Sequence, residues 1–219
     1  MKIRRTANAG VLLELDGVSV LMDGVCQEVQ PYLATPPEER EKLSTRWPDV
    51  LLFTHAHKDH YDPDFAAAFQ RQTDGVILGP VDLPGCKAIM QEMKIGTLQI
   101  LPIGSRHIGA AGKNTSHVSF VVNGTSCVWF LGDASPLQWK NISYLPKPDV
   151  VIVPYAYAAS SSAWQIVKEF APSQVVLLHL PPRENDSAEL WFAVESVAGC
   201  EIGKMLHIPK IGQTLTFNE

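Results

Sequence analysis

Three histidines and one aspartate lie within six positions of this chain, directly after the apolar run of residues 50–53. They are His55, His57, Asp59 and His60, and imidazole and carboxylate are the ligands that a divalent ion such as zinc prefers. Side chains two positions apart in extended chain point the same way, so His55 and His57 can bind one ion together. Asp59 and His60 follow where the chain must turn, and they can face a second ion. A solvated polar loop is the alternative, but three of the seven histidines lie here, which favours a metal site.

The remaining pattern predicts two β-sheets packed on each other with helices outside, a layered α/β sandwich. Two hairpins are indicated, at residues 11–22 and 117–131, because Asp16-Gly17 and Asn123-Gly124 favour tight turns between apolar strands. Further strands are predicted at residues 49–53, 75–79, 97–103, 149–153, 174–178 and within 204–217. Helices are predicted at residues 35–43, 63–69, 84–93, 162–170 and 186–197. Thr35 is expected to cap the first of these helices.

Two further residues of types that bind metals, an aspartate and a histidine, each follow an apolar strand. Asp133 comes after Gly132 at the end of the second hairpin, and His179 comes directly after the strand at residues 174–178. Layered α/β folds place their sites at the carboxyl ends of strands, so we expect these side chains near the histidine motif. The alternative for Asp133 is a structural role as the cap of a helix that begins near Pro136.

At this point the residues resemble a known family. The run from His55 to His60 is similar to the His-x-His-x-Asp-His signature of the metallo-β-lactamase superfamily. Residues 130–133 (Phe-Leu-Gly-Asp) resemble its strand-plus-Gly-Asp motif, and residues 177–179 (Leu-Leu-His) resemble its last strand-plus-His ligand. The resemblance implies a four-layer αββα sandwich of two mixed β-sheets flanked by helices, in a single hydrolase domain over residues 1–219.

The resemblance also implies two divalent metal ions, with zinc expected first and Mn²⁺ or Fe²⁺ as alternatives. His55 and His57 would bind the first ion with a later histidine, for which His107 and His117 both lie in the right region. We favour His107, which lies in the loop before the strand, as in the simpler hydrolases of the superfamily. His117 would then orient a ligand or touch the substrate, and His207, in a late apolar strand, is expected to be structural.

The second ion would be bound by Asp59, His60 and His179, and Asp133 would bridge the pair. A bridging carboxylate holds two ions roughly 3.5–4 Å apart, a spacing that suits hydrolysis. A water on the ions has its pKa lowered to near neutrality, which supplies a hydroxide nucleophile. Asp59 is also the candidate catalytic residue, because it can orient that water or accept its proton.

These features predict a hydrolase that uses the hydroxide of a dinuclear site to cleave a small ester, lactone or phosphodiester. The alternatives are a non-catalytic protein that senses a ligand through the metal-filled pocket and a di-iron redox protein. Tyr155 is expected to contact substrate or to orient a ligand, although Tyr155 and Tyr157 could equally pack in the core. The loop at residues 24–37, with Tyr32 and Leu33, could cover the pocket or a partner, and the oligomeric state stays open.

Composition and charge argue against several classes of protein. The 219 residues are 46% hydrophobic and 19% charged, which is enough apolar surface for a core and argues against disorder. The chain has neither a signal-peptide pattern nor an apolar run near the roughly 20 residues of a membrane span, so a cytoplasmic protein without a membrane partner is expected. The net charge of −5 argues against a protein built to coat nucleic acid, but it does not exclude a nuclease that works through metal ions. A small-molecule substrate is expected. Four basic residues could meet a substrate phosphate, although exposed positions are expected for them: Arg4, Arg5, Arg106 and Lys113. The four cysteines have no paired spacing and are expected to be free: Cys26, Cys86, Cys127 and Cys200.

Overall fold

The computed structural model describes residues 1–109, 114–139 and 142–217, and its strands form two mixed β-sheets. The first sheet contains, in spatial order, β13 (Thr214–Thr216), β1 (Lys2–Arg5), β2 (Val11–Leu15), β3 (Val18–Met22), β4 (Val50–Leu52) and β5 (Val76–Leu78). The second contains β12 (Leu206–His207), β11 (Gln174–Leu178), β10 (Val150–Pro154), β9 (Cys127–Phe130), β8 (Ser116–Asn123), β7 (Leu98–Arg106) and β6 (Met93–Ile95). The α-helices among the described residues are α1 (Pro37–Thr45), α2 (Pro63–Gln72), α3 (Ser161–Glu169) and α4 (Leu190–Ala198).

Three apolar layers hold these elements together. The layer between the sheets contains Leu13 of the first sheet and Phe120 of the second, both fully buried. Helix α2 packs on the outer face of the first sheet through Phe69, and α3 packs on the outer face of the second through Trp164. The predicted αββα sandwich of two mixed sheets is therefore confirmed. Among the described residues, every helix is too short or too polar to cross a bilayer.

Both predicted hairpins are present. Asp16 and Gly17 join β2 to β3 with φ angles of 53° and 79°, which is the positive pair that a tight primed turn requires. In the second hairpin Asn123 still pairs with Cys127, so the turn is made by residues 124–126. The carboxylate of Asp16 accepts hydrogen bonds from the backbone N–H and the hydroxyl of Thr125, which ties the two hairpin turns together.

Several predicted helix ends are wrong, because the side chains expected at the helix starts bond elsewhere. Helix α1 begins at Pro37 without a side-chain cap, and the Thr35 hydroxyl instead accepts a hydrogen bond from the Cys26 N–H at 2.8 Å. Helix α4 begins at Leu190, four residues later than predicted, and the Asp186 carboxylate accepts from the Leu190 N–H at 3.0 Å.

The helix predicted at residues 84–93 does not form. Gly85 has a φ angle of 77°, which interrupts a helix at its start. Ile89 forms a bridge with Leu78 of β5, and backbone hydrogen bonds join it to Ile77 and Gly79. The segment therefore follows the edge of the first sheet and leads into β6.

Arg5 also differs from its expected exposed position. Strand β1, which the sequence pattern did not predict, buries the guanidinium, and it donates hydrogen bonds to the carbonyls of Ala7, Asn8 and Pro209. Arg4 pairs with Glu39 at 2.6 Å, whereas Arg106 is exposed as expected. Lys113 lies outside the described residues.

The parallel strands bring the polar motifs to one end of the sandwich. Strands β3, β4 and β5 are parallel in the first sheet, and β9, β10 and β11 are parallel in the second, so their carboxyl ends lie at common edges. Gly132, at the end of β9, has a φ angle of 53° and lies against Thr54, which follows β4. A Cβ atom on Gly132 would lie 2.5 Å from the Thr54 Cγ2 atom, so a glycine is required where the two sheets meet.

We predict that Gly132→Ala lowers the free energy of unfolding more than Gly203→Ala does. Gly203 has a φ angle of 79° with open space around it, so alanine there pays only the left-handed backbone cost of about 1–2 kcal/mol. Gly132→Ala adds the clash with Thr54, worth about 1–3 kcal/mol more. Urea denaturation of the two variants measures the difference, and equal losses would contradict the proposed contact between the sheets.

Candidate metal centre

The histidine motif forms a tight turn at the end of the first sheet. The N–H groups of His60 and Tyr61 both donate to the His57 carbonyl, at 3.0 and 2.9 Å. This turn divides the motif into two halves. His55 and His57 precede the turn and face one way, whereas Asp59 and His60 lie in the turn and face another. The predicted turn after His57 is therefore present.

One half of the motif meets a histidine from the second sheet. His55, His57 and His107 each offer a ligand atom, and these atoms lie within 4.8 Å of one another. His107 follows β7 and is fixed by a bridge to Ala134. His107 is thus the third member of this cluster, and its choice over His117 as a metal ligand stays a prediction. The His117 ring lies beside the cluster, with its centroid 5.1 Å from that of His55.

The other half of the motif meets His179. Asp59, His60 and His179 form a second group with ligand atoms within 4.8 Å of one another. The Asp59 Oδ2 atom lies 3.1 Å from His179 Nε2 and 3.9 Å from His60 Nε2. His179 directly follows β11 and has a φ angle of 63°, and its N–H donates to the Asn8 carbonyl.

Asp133 lies between the two groups. Its Oδ2 atom is 3.4 Å from His60 Nε2 and 3.6 Å from the Nε2 atoms of both His107 and His179. The short 3₁₀ helix that begins at Pro136 has no side-chain cap, so the structural alternative for Asp133 does not apply. Its carboxylate faces both histidine groups, as a bridging residue would.

Hydrogen bonds fix which nitrogen of His55 and of His107 carries the proton. His107 Nδ1 is 2.7 Å from the Ile108 carbonyl, which can only accept, so Nδ1 carries the proton. His55 Nδ1 is 2.9 Å from the Thr54 hydroxyl, and that hydroxyl donates its single proton to Asp23 at 2.6 Å. His55 Nδ1 must therefore be the donor as well. In both rings Nε2 keeps a bare lone pair, the form in which imidazole binds a metal.

Asp23 is the site residue that the sequence did not reveal. Its fully buried carboxylate accepts from the Thr54 N–H at 2.8 Å and the Thr54 hydroxyl, and it pairs with His60 Nδ1 at 2.8 Å. In the sequence, Asp23-Gly24 has only the pattern of a turn at the end of a strand. Sheet topology is the feature that could have revealed Asp23. Strand β3 is parallel to β4, so its end lies beside the histidine motif.

Burial and charge set the protonation of the centre. Burial lowers the pKa of His55 well below its usual value, and neighbouring His60 adds to this, so the ring is neutral at physiological pH. Burial would raise the pKa of Asp133, but His179 and His60 outweigh it and hold that pKa well below its usual range. Burial would likewise lower the pKa of His60, but Asp133 and Asp23 outweigh it and raise that pKa.

Aromatic rings border the His179 side of the centre. The Tyr32 ring packs edge-on against His179 with centroids 4.4 Å apart, and the half-buried Tyr155 ring lies 6.1 Å away. The loop that carries Tyr32 is joined to the motif by the Gln27 N–H, which donates to the Lys58 carbonyl. The loop therefore lies against this pocket. Tyr157, in contrast, is fully buried and donates to the Ala134 carbonyl, so it belongs to the core.

Comparison with known proteins identifies the family to which this chain belongs. A profile described as the Beta-lactamase superfamily domain matches residues 2–179. A UPF0173 metal-dependent hydrolase of Methanopyrus kandleri is 26% identical over an alignment of 223 residues, which covers 90% of this chain and 93% of that protein. Among solved structures, a possible metal-dependent hydrolase of Veillonella parvula superposes with a TM-score of 0.73 at 15% identity and covers 99% of both chains.

CmlA, a diiron β-hydroxylase of Streptomyces venezuelae, superposes with a TM-score of 0.70 at 15% identity, over 99% of this chain and 54% of that one. At such identities the two structures show a shared fold alone. The family profile, however, spans the histidine motif, Asp133 and His179. The chain therefore belongs to the metallo-β-lactamase superfamily.

Proposed function

We propose that the chain binds two divalent metal ions at this centre and uses them to hydrolyse a small ester, lactone or phosphodiester. The observation that carries the proposal is a set of buried imidazole nitrogens without a hydrogen-bond partner among the described residues. They are the Nε2 atoms of His55, His60, His107 and His179. A buried polar atom without a partner costs about 1–3 kcal/mol, so several at one place need a shared occupant. A cation is the occupant that imidazole lone pairs and ionised carboxylates both favour.

The two groups suggest one ion each. His55, His57 and His107 would hold the first ion, and two of these rings already present bare Nε2 lone pairs. Asp59, His60 and His179 would hold the second, which must compete with the proton that the raised pKa of His60 favours. Asp133 would contact both ions, which is supported by its 3.4–3.6 Å distances to His60, His107 and His179.

Within such a centre, divalent ions lower the pKa of a bound water and polarise a carbonyl or phosphoryl oxygen. Asp59 is suited to accept a proton at its carboxylate. Burial would raise its pKa, but the neighbouring His179 and His60 rings outweigh it and lower the pKa, so Asp59 is ionised at physiological pH. Its side chain is 13% exposed, so an entering substrate can reach it.

Tyr155 and Tyr32 support a small substrate, because both rings border His179 and restrict that side of the pocket.

The donor set favours zinc and also suits Mn²⁺ and Fe²⁺. The similarity of fold to a diiron hydroxylase is not evidence that this chain binds iron. The four free cysteines support a cytoplasmic location. We further propose that residues 1–219 act as one hydrolase domain.

We predict that Asp133→Asn removes at least one of two metal ions per chain. The amide is neutral, so it cannot supply the negative charge that both ions would share. Elemental analysis after gel filtration measures the ions, with the exposed Asp64→Asn of α2 as the matched control. Two ions retained in Asp133→Asn would exclude the bridging role.

We predict that Asp59→Asn lowers turnover by about 10²–10⁴-fold, the usual range for losing a proton-accepting group. The assay is a panel of chromogenic phosphodiesters, esters and lactones, again with Asp64→Asn as control. If the wild-type chain binds two ions and turns over no member of the panel, the hydrolase proposal fails and a ligand sensor becomes the better account.

We predict that Asp23→Asn weakens metal binding by about 10–100-fold although it removes no ligand, because the carboxylate orients His60 and, through Thr54, His55. Competition with a chromophoric chelator measures this affinity. Asp49→Asn is the matched control, since Asp49 accepts hydrogen bonds from the N–H and the hydroxyl of Ser19 at the opposite end of β4. Equal affinities in the two variants would show that Asp23 has only a structural role.

A further inference from the structure

A second cleft lies beside the metal centre, and none of the candidate metal ligands lines it among the described residues. Its volume of about 260 Å³ is slightly below the roughly 300–1,000 Å³ of drug-sized ligand pockets, so a small molecule fits it. Leu180 and Leu33 line the cleft. They directly follow His179 and Tyr32, whose rings pack with centroids 4.4 Å apart. The cleft is therefore a separate site next to a candidate metal ligand.

The walls of this cleft are mostly apolar. Leu180 and Pro181 are buried, and Trp191 is half-buried. The Trp191 indole N–H donates to the Pro181 carbonyl at 2.8 Å, so the polar atom of this ring is already bonded within the protein. The cleft thus offers apolar surface, which favours a ligand with an apolar body.

Arg5 brings a positive charge to the cleft. It is only 7% exposed, and burial lowers its pKa to about 10, so the guanidinium is charged at physiological pH. Its hydrogen bonds use three of the five N–H protons, and all three acceptors are neutral carbonyls. The ion pairs of arginine among the described residues are those of Arg4, Arg40 and Arg183. Arg5 is therefore a buried charge without a carboxylate partner, which is costly unless another anion is present.

Lys210 and Asn8 add to the preference for an anion. Lys210 is exposed at the cleft, and the lysine ion pair among the described residues is that of Lys42. Asn8 also lines the cleft, and its buried Nδ2 group has no acceptor in the described part of the chain. The described lining contains neither aspartate nor glutamate. The charge of the cleft is therefore positive.

We propose that this cleft binds a small organic anion, a monocarboxylate with an apolar body. The carboxylate would accept from the two N–H protons that Arg5 has left and would face Lys210, while the apolar body would lie against Leu180, Pro181 and Trp191. A monoanion suits the cleft better than a phosphate dianion, because apolar walls make a second charge costly to desolvate. The site requires no metal ion, so it goes beyond the proposed function and does not depend on it.

The test is a titration of the wild-type chain with benzoate, both loaded with Zn²⁺ and stripped of metal, followed through the indole N–H signals by ¹⁵N NMR. Trp191→Phe assigns the Trp191 signal. Benzoate should shift this signal saturably in both forms. Benzamide, its neutral isostere, should bind at least about tenfold more weakly, because it lacks the charge that strengthens hydrogen bonds to Arg5. Phenyl phosphate should also bind more weakly than benzoate.

The other outcomes contradict the inference. Without a saturable shift, or with equal binding of benzamide, the cleft is not an anion site. A shift confined to the Zn²⁺-loaded form would mean that benzoate binds the metal ions, and tighter binding of phenyl phosphate would mean that the ligand is a phosphate. A Trp191 signal that changes with protein concentration alone would mean that a second copy covers the cleft. Failure at this cleft would leave the proposed metal centre standing, because elemental analysis tests that centre separately.

A variant at the exposed Lys210 tests the charge, since Arg5 itself also ties three carbonyls to β1. Lys210→Met should weaken benzoate binding about fivefold, which is near the upper limit for an exposed ion pair. Lys94→Met is the matched control, because Lys94 is an exposed lysine of β6, at the opposite edge of the second sheet from β12. Equal benzoate affinities in the two variants would overturn the inference.

Discussion

The metal centre depends on one buried carboxylate, that of Asp23. It has no exposed surface, and a buried charge without partners would cost several kcal/mol. Its partners are the Thr54 backbone and hydroxyl and the His60 ring, all of which belong to the segment after β4. Because Asp23 follows β3, the hydrogen bonds join the ends of two parallel strands. The same carboxylate orients His60 directly and His55 through Thr54, so it positions one histidine of each candidate metal group.

The second sheet orients its histidines differently. His107 donates to the carbonyl of the next residue, and His117 is fixed through two serines that end on the Leu131 carbonyl. These acceptors are main-chain groups at strand ends, which the sheet itself holds in place. In His55, His60, His107 and His117 the Nδ1 atom is hydrogen-bonded within the protein, which leaves Nε2 without a partner. The imidazoles are thus oriented before any ion binds, which lowers the cost of ordering them.

The sequence predicted those parts of the centre that local chemistry decides. The spacing of the histidine motif and the positions of Asp133 and His179 after apolar strands were enough to bring these residues together. Asp23 was missed because Asp-Gly after a strand is also ordinary turn chemistry, and its role depends on β4 as a neighbour. The wrong helix at residues 84–93 has the same origin, since the hydrogen bonds of Ile89 to Ile77 and Gly79 override the local preference. Arg5, expected at the surface, is buried because β1 pairs with β13 at the far end of the chain.

The strands and the loops therefore have different roles at this site. Strand ends supply the imidazoles and carboxylates, and their positions follow from the parallel pairing that defines the fold. The border of the pocket comes from elsewhere: Tyr32 lies in the loop before α1, and Tyr155 lies in the turn after β10. Loops accept substitution more readily than paired strands do, so one metal centre can serve different substrates when its loops differ. Substrate choice in this chain should accordingly depend on Tyr32 and Tyr155, whereas metal binding should depend on the strand ends.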